Sequence, residues 1–530
     1  MTGPRAGLTR RGLLASAAVL GVALPDVAQP GAARAETPKL FVFANSDRYD
    51  TLDPHQSFDV ARVAVRLNLY DNLYRWEDNP PQLKPWLAES HTISADGLTY
   101  TFKLRSGAKF HDGAAVTADD VVYSVERLLG MGKGAAPLIG MMVEKGSTKS
   151  PDVATVVFTI KRPAAIFLSA IPELHIVNAE LLRAKEVNGD WAGPWLSSND
   201  AGSGAYMLDS FDPVGNFRAK RFPDHFVGWQ GNHLDDVEFR AVLDTSTIVL
   251  GMTRGDYSGT DGYLPFEQIE RLRRAPDVNI LEAESMRLAA IQMNNSKSPF
   301  DDVHFRRAIA YAFDYDGMIS GILHDSVVRN PVPIPNNCPG FPVGVTGYSF
   351  DLDKARAELK LAKSVPDRVY QIAFSSGQVT LQQQAEVLQN GLRQLGIKTE
   401  LKVLPWASLQ PLFRSAETSP DFFSTIISTY YPDPHNWIGE MYSSAAWGTF
   451  KSAAYYKNPE VDQLLAQGMA STDPEARWKI YAAAARIVLN DSPGIFIYNT
   501  KWFGPYAKNV AGVRFSPIGN GMEMRWASFA

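Results

Sequence analysis

Residues 370–403 read YQIAFSSGQVTLQQQAEVLQNGLRQLGIKTELKV, and three successive patterns in that stretch decide the fold class. Tyr370, Ile372 and Phe374 recur with the period of a strand. Leu381, Ala385, Leu388, Leu392 and Leu395 then form a helical stripe, and Gly396 follows where a left-handed C-cap is wanted. Leu401 and Val403 resume the strand period. Strand, helix, strand is the connection that a parallel sheet requires, so the stretch predicts an α/β architecture.

The same alternation extends in both directions. Leu98, Tyr100, Phe102 and Leu104 alternate with Thr99, Thr101, Lys103 and Arg105 as a half-buried strand. Thr117-Ala118-Asp119-Asp120 resembles a capping box ahead of Val122, Val125 and Leu129, and Ala154, Val156, Phe158 and Ile160 give another strand. Asp301-Asp302 stands before Phe305, Ile309, Ala312 and Phe313, where capping the helix explains the two acids better than catalysis does. A helix from Asp473 to about Leu489 leads into the strand Gly494-Ile495-Phe496-Ile497-Tyr498. No repeat and no low-complexity linker separates domains, so any boundary between lobes is expected at a crossing strand.

The 530 residues correspond to about three compact units or two large lobes. Lys+Arg at 52 against Asp+Glu at 57 leaves a net charge of −5, with no basic footprint for nucleic acid. A single cysteine, Cys338, rules out an intramolecular disulfide and a cysteine-built metal cluster. The N-terminus has the layout of an export signal: Arg10-Arg11, an uncharged run from Gly12 to Leu24, then Ala33-Arg34-Ala35. That run is shorter than the roughly 20 residues a spanning helix needs. Residues 1–35 are therefore expected to be a cleaved signal peptide, cut before Glu36, with Arg10 and Arg11 favouring the twin-arginine route. An ordinary signal containing two arginines is the alternative. With no cysteine near the cut, a soluble, exported protein without a lipid anchor is expected.

Catalytic motifs are missing. The nine histidines form no H-E-x-x-H, and neither a G-x-S-x-G elbow nor a phosphate loop is present. Gly130-Met131-Gly132-Lys133-Gly134 follows a helix, whereas a phosphate cradle precedes one. Neither a cofactor nor a metal site is expected.

Several blocks together resemble the extracellular solute-binding proteins of ABC importers, family 5, the dipeptide/oligopeptide/nickel group. They are Thr51-Leu52-Asp53-Pro54-His55, Tyr70-Asp71-Asn72-Leu73-Tyr74 and Leu83 to Ser90. Leu104-Arg105-Ser106-Gly107-Ala108-Lys109-Phe110-His111-Asp112-Gly113 and Gly202-Ser203-Gly204-Ala205-Tyr206 follow in family order. Asn294-Asn295, Pro299-Phe300-Asp301-Asp302-Val303, Tyr431-Pro432-Asp433-Pro434-His435-Asn436-Trp437 and Tyr456 to Asp462 complete the set.

The resemblance implies a large two-lobed α/β clamshell with an extra subdomain in lobe one. Lobe one would take residues 36–290 and return over 498–530, with lobe two at 291–497. It implies a monomeric periplasmic receptor that encloses a small solute, peptide or peptide-like by family default, and delivers it to the permease subunits of an importer. A non-peptide ligand such as an opine, sugar or metal chelate is the alternative, and an exported hydrolase is the competing class. In many peptide binders of the family an aspartate four residues before the second proline of the turn pairs with the peptide ammonium; here Tyr430 stands there, in Ser428-Thr429-Tyr430-Tyr431. Ser428, Tyr430 and the pocket aromatic Trp406 are the ligand contacts expected in lobe two. Glu173 and His175 are either cleft groups of lobe one or a plain surface loop, and Tyr49 is a weaker candidate. Asp433 is expected to bond nearby backbone, and His435 is structural more readily than metal-binding.

Overall fold

In a computed structural model, which describes residues 40–59, 62–519 and 521–530, the 370–403 stretch forms strand Tyr370–Ser375, helix Val379–Gln394 and strand Thr399–Leu404. The two strands pair in parallel, Tyr370 opposite Thr399 and Phe374 opposite Val403. Leu381, Ala385, Leu388 and Leu392 face the core, and Gly396 adopts φ +78° just past the helix. The expected signal features Arg10, Arg11, Ala33 and Ala35 lie outside the described residues.

Among the described residues eleven strands make one sheet. One half is built from Tyr206–Asp212, Asn216–Arg221, Asp236–Ala241, Phe41–Asn45 and Gly259–Thr260. The other half is built from Phe422–Ile427, Tyr370–Ser375 and Thr399–Leu404. Two long antiparallel strands join them, Val278–Met293 and Gly494–Ala507, and Val327–Arg329 pairs with the second. The expected strand Gly494–Tyr498 is thus the start of a strand of 14 residues, and its partner runs for 16. Where the ribbon leaves the core, Leu281, Glu282 and Glu284 are exposed, so burial no longer marks one face of the strand. The register between the two slips between Glu284 and Leu288 and again between Ala289 and Ala290, beside Asn499 and Lys501.

A separate four-stranded sheet, Ala88–Ile93, Thr99–Leu104, Thr155–Thr159 and Lys149–Asp152, packs against helix Ala118–Met131. Tyr100, Phe102 and Leu104 are buried, while Lys103 between them is exposed, as a half-buried strand demands. The helix opens with the Thr117/Asp120 capping box and closes at Gly132, φ +63°. The glycine-rich string is therefore a helix stop. Asp302 caps helix Val303–Ala312 through the His304 N–H at 2.8 Å and accepts Lys363 N–H at 2.7 Å.

Gly202 and Gly204 show why the Gly202-Ser203-Gly204 element has no side chains at its ends. A Cβ on Gly202 would lie 1.8 Å from the Leu69 carbonyl oxygen, and one on Gly204 would lie 2.4 Å from that of Asn68. His111 fastens the same loop, with Nδ1 bonded to Asp200 at 2.7 Å and Nε2 to the Gly204 carbonyl at 2.9 Å.

Candidate functional site

A cavity of about 990 Å³ opens between two groups of segments. Gln56–Asp59, the 134–141 turn and helix, and Arg162-Pro163 form one wall; residues from Trp406 to Ala470 form the other. The walls touch at their margins. The Ala165 N–H donates to the Met469 carbonyl at 3.0 Å, and Tyr430, Tyr431 and Met469 pack on the apolar cluster of the first wall.

The second wall is set by the turn Asp433-Pro434-His435-Asn436. Asp433 accepts the His435 N–H at 2.9 Å and receives Arg477 in a bidentate pair at 2.6 and 2.8 Å, both side chains buried. Asn436, fully buried, donates to the Ser428 carbonyl at 3.0 Å and accepts from Lys451 Nζ at 2.9 Å. These bonds hold Tyr430 in the wall. Its ring meets Phe58 of the opposite wall at 4.8 Å between centroids, and Lys451 Nζ lies 4.3 Å from its centre. Lys451 also pairs with Glu440, whose other oxygen accepts the Tyr431 hydroxyl. Burial lowers the Lys451 pKa, and Glu440 works against that shift. Burial, then Glu440 and Asp59, raise that of Tyr430, so its hydroxyl stays protonated.

Trp406, 38% exposed, opens a short helix after Pro405 and stands edge-on to Phe450 at 5.1 Å. Tyr430 and Trp406, both expected as ligand contacts, line one cavity. Ser428 does not line it; its role here is the carbonyl that receives Asn436. His435 lines the cavity, and its Nδ1 is bonded to the Tyr481 hydroxyl at 3.0 Å.

Glu173, His175 and Tyr49 do not line this cavity, a correction: Glu173 and His175 are neither cleft groups nor a surface loop but buried, and Tyr49 is buried as well. Ile171–Glu173 is a short 3-10 turn and His175–Ile176 a strand on Asp71–Asn72, which seals the segment inside the fold. Glu173 and His175 line a separate cavity of about 20 Å³ with Arg66 and Arg75. Burial pushes the Glu173 carboxyl up to about 7, with Arg66 opposing. Tyr49 is fully buried, edge-on to Phe217 at 5.0 Å, and is a core residue. Sequence reasoning missed Phe58, Arg162, Glu440 and Lys451. Phe58 follows the Thr51–His55 block by three residues, a position that only the fold turns into a cleft wall.

The sequence model of the bacterial extracellular solute-binding proteins, family 5 (Middle), matches residues 82–449. The chain belongs to that family. Its fold is the two-lobed α/β clamshell of periplasmic binding proteins. A probable D,D-dipeptide-binding periplasmic protein of Escherichia coli K12 is 30% identical over 493 residues, 92% of this chain and 93% of that relative. A glutathione-binding protein of Escherichia coli O157:H7 is 26% identical, over 90% and 92% of the two chains. Among solved structures, an ABC transporter-associated periplasmic binding protein from Helicobacter pylori in complex with the peptide STSA superposes with a TM-score of 0.81 at 22% identity, covering 93% of this chain and 98% of that one. A periplasmic binding protein from A. tumefaciens R10 in complex with agropinic acid gives 0.77 at 24%, covering 93% and 99%.

The family consists of solute-binding proteins. No described helix is long and apolar enough to cross a membrane, and among the described residues no group of three or more His, Cys, Asp or Glu is arranged to hold a metal ion.

Proposed function

We propose that this family member is the receptor of an ABC importer, enclosing a peptide or peptide-like solute and passing it to the permease. The observation that carries the reading is the cavity of about 990 Å³ with walls from both halves of the chain, large enough for a short peptide. The relatives' names, D,D-dipeptide-binding and glutathione-binding, support the peptide class. Lobe one is assigned residues 36–290 and 498–530, and lobe two residues 291–497. The paired strands Val278–Met293 and Gly494–Ala507 cross between them, and the register slips from Glu284 to Ala290 are suited to absorb a hinge rotation. A solute touching Tyr430 and Trp406 on one side and Phe58 on the other stabilises the closed form by its greater affinity for it. Micromolar affinity needs only about −8 kcal/mol. In this reading residues 1–35 direct export to the periplasm, with Arg10-Arg11 selecting the twin-arginine route and Ala33-Arg34-Ala35 presenting the cut, and the mature receptor acts as a monomer.

A second reading, a non-peptide solute such as an opine, draws on Tyr430 standing where an amine-binding acid would be, and on the agropinic acid complex of a structural neighbour. A thermal-shift screen of dipeptides, glutathione, opines, sugars and metal chelates tests both. A ligand at 100 times its Kd adds about 2.7 kcal/mol to stability, so a peptide-class compound is expected to raise Tm. A rise only with opines selects the second reading, and no rise with any class sinks the receptor assignment.

A further inference from the structure

We propose that Arg66, a buried side chain behind the cavity wall, is a positioning residue for the cleft: its guanidinium grips the main chain on both sides of Phe58 and fixes where that ring stands against Tyr430. The inference rests on the receptor reading and concerns what holds one wall in place, not what touches the solute.

Phe58 lines the cavity from residues 56–59, which belong to no helix or strand, and its ring centroid lies 4.8 Å from that of Tyr430. An irregular segment keeps one conformation only where its backbone groups find partners. Its ends have tethers of their own. The Gln56 side chain donates to Ser197 Oγ at 2.9 Å, and the Asp59 carboxylate accepts the Arg62 N–H at 3.0 Å. The carbonyls on either side of Phe58 go to one group: Arg66 Nη1 donates to that of Ser57 at 3.4 Å, and Nη2 to that of Asp59 at 2.9 Å.

Arg66 projects from the helix Val63–Leu69 and is 6% exposed. It does not line the ligand cavity; it lines the separate cavity of about 20 Å³ with Glu173, His175 and Arg75. Enclosed in this way, the guanidinium cannot exchange its carbonyl partners for water without cost. Its planar fork reaches two acceptors at once, where a lysine offers a single point charge. Hydrogen bonds from an ionised donor are also about twice as strong as neutral ones. The Glu173 carboxyl stands near that charge: burial pushes it up to about 7, and Arg66 draws it down. Phe58 is thus a cleft residue whose place is set by an arginine outside the cavity.

Two measurements test this. In the first, 4-fluorophenylalanine replaces Phe58, or Phe374 of the core as a control, and fluorine resonances are recorded on the ligand-free protein. Arg66→Met is expected to move the resonance at position 58 toward its value in the urea-unfolded chain and to leave that at position 374 in place. The second is calorimetric titration with D-alanyl-D-alanine and with glutathione. The tighter-binding probe is expected to lose about tenfold in affinity to Arg66→Met, the size of a lost charge-assisted bond, and about as much to Phe58→Ala. The double variant should lie within about twofold of Phe58→Ala, because an arginine that acts through that ring has nothing left to position. Arg66→Lys, which keeps the charge, should fall between Arg66→Met and the unaltered protein in both measurements, and it carries the comparison should Arg66→Met fail to fold. An unmoved resonance at 58, equal movement at 58 and 374, or losses that multiply in the double variant overturn the proposal and leave the receptor reading standing. If neither probe binds the unaltered protein, the peptide reading fails, and the fluorine resonances alone decide the role of Arg66.

Discussion

Asp53-Pro54-His55 and Asp433-Pro434-His435 are the same turn built twice, once behind each wall of the cavity. In both, the aspartate accepts the histidine N–H two residues on at 2.9 Å, and its oxygens hold a buried arginine from a helix, Arg127 in one and Arg477 in the other. The histidines part ways. His55 is fully buried, its Nδ1 accepting from Arg127 at 3.0 Å and its Nε2 bonded to the His175 carbonyl at 2.9 Å. His435 is bonded to Tyr481 and lines the cavity. One ion-paired turn is enclosed; the other lines the cavity and carries Tyr430 beside it. The difference lies in what surrounds the motif.

The largest effect should come from cutting either pair. Arg127→Met and Arg477→Met each leave a buried aspartate without its cation, a loss of about 3–5 kcal/mol in urea unfolding. Burial opposes the charged form of Asp53, yet Arg127 holds its pKa below the ordinary range, so the pair outweighs the cost of burial in the folded chain. Arg477→Met should weaken solute binding more than Arg127→Met, because His435 of its turn lines the cavity itself, whereas the Asp53–His55 turn lies behind the wall that begins at Gln56. Equal loss of binding from Arg127→Met would break the distinction between the two turns. Losses under about 1 kcal/mol, typical of exposed ion pairs, would show that neither turn depends on its arginine.

Acid should act next. Burial, then Arg127, lowers the His55 pKa to about 4, from an ordinary value of 6.5. Between those values the unfolded chain binds the proton and the folded chain does not. Stability therefore falls as pH drops from about 6.5 to about 4, by an amount on the order of 3 kcal/mol from this group. Burial lowers the His435 pKa as well, so its contribution has the same sign. Urea midpoints measured across that range should show a shallower slope for His55→Gln than for the unaltered protein; an identical slope would place the titration elsewhere.

How much of this was legible in the sequence depends on range. Local periodicity disclosed the strand–helix–strand unit at 370–403, the capped helix after Thr117 and the Asp302 cap, because each is decided by residues within one turn or one strand. The family blocks brought Tyr430 and Trp406 forward, and the cavity contains both. Phe58 and Lys451 stayed invisible because their contacts reach residues 372 and 21 positions from themselves, at Tyr430 in each case. Tyr49 and Glu173 misled for the opposite reason. Their residue types suit a cleft, but Phe217 and Phe239 close over the first, and the pairing of His175–Ile176 with Asp71–Asn72 buries the second.

The smallest change sharpens the comparison most. Tyr430→Phe keeps the ring between Phe58 and Lys451 and removes one oxygen, so stability should move by less than about 0.5 kcal/mol. Tyr430→Ala removes the ring and with it an aromatic pair and a cation–π contact, together about 1–2 kcal/mol. Affinity for the best solute of the screen should follow the same split, nearly unchanged for Phe and about tenfold weaker for Ala. If Tyr430→Phe were as damaging to binding as Tyr430→Ala, the hydroxyl would be the contact, and the residue would act on the solute as a hydrogen-bond donor in place of an acid. If both variants bound as well as the unaltered protein, the cleft face of the second turn would be scaffold too, and the two turns would differ only in exposure.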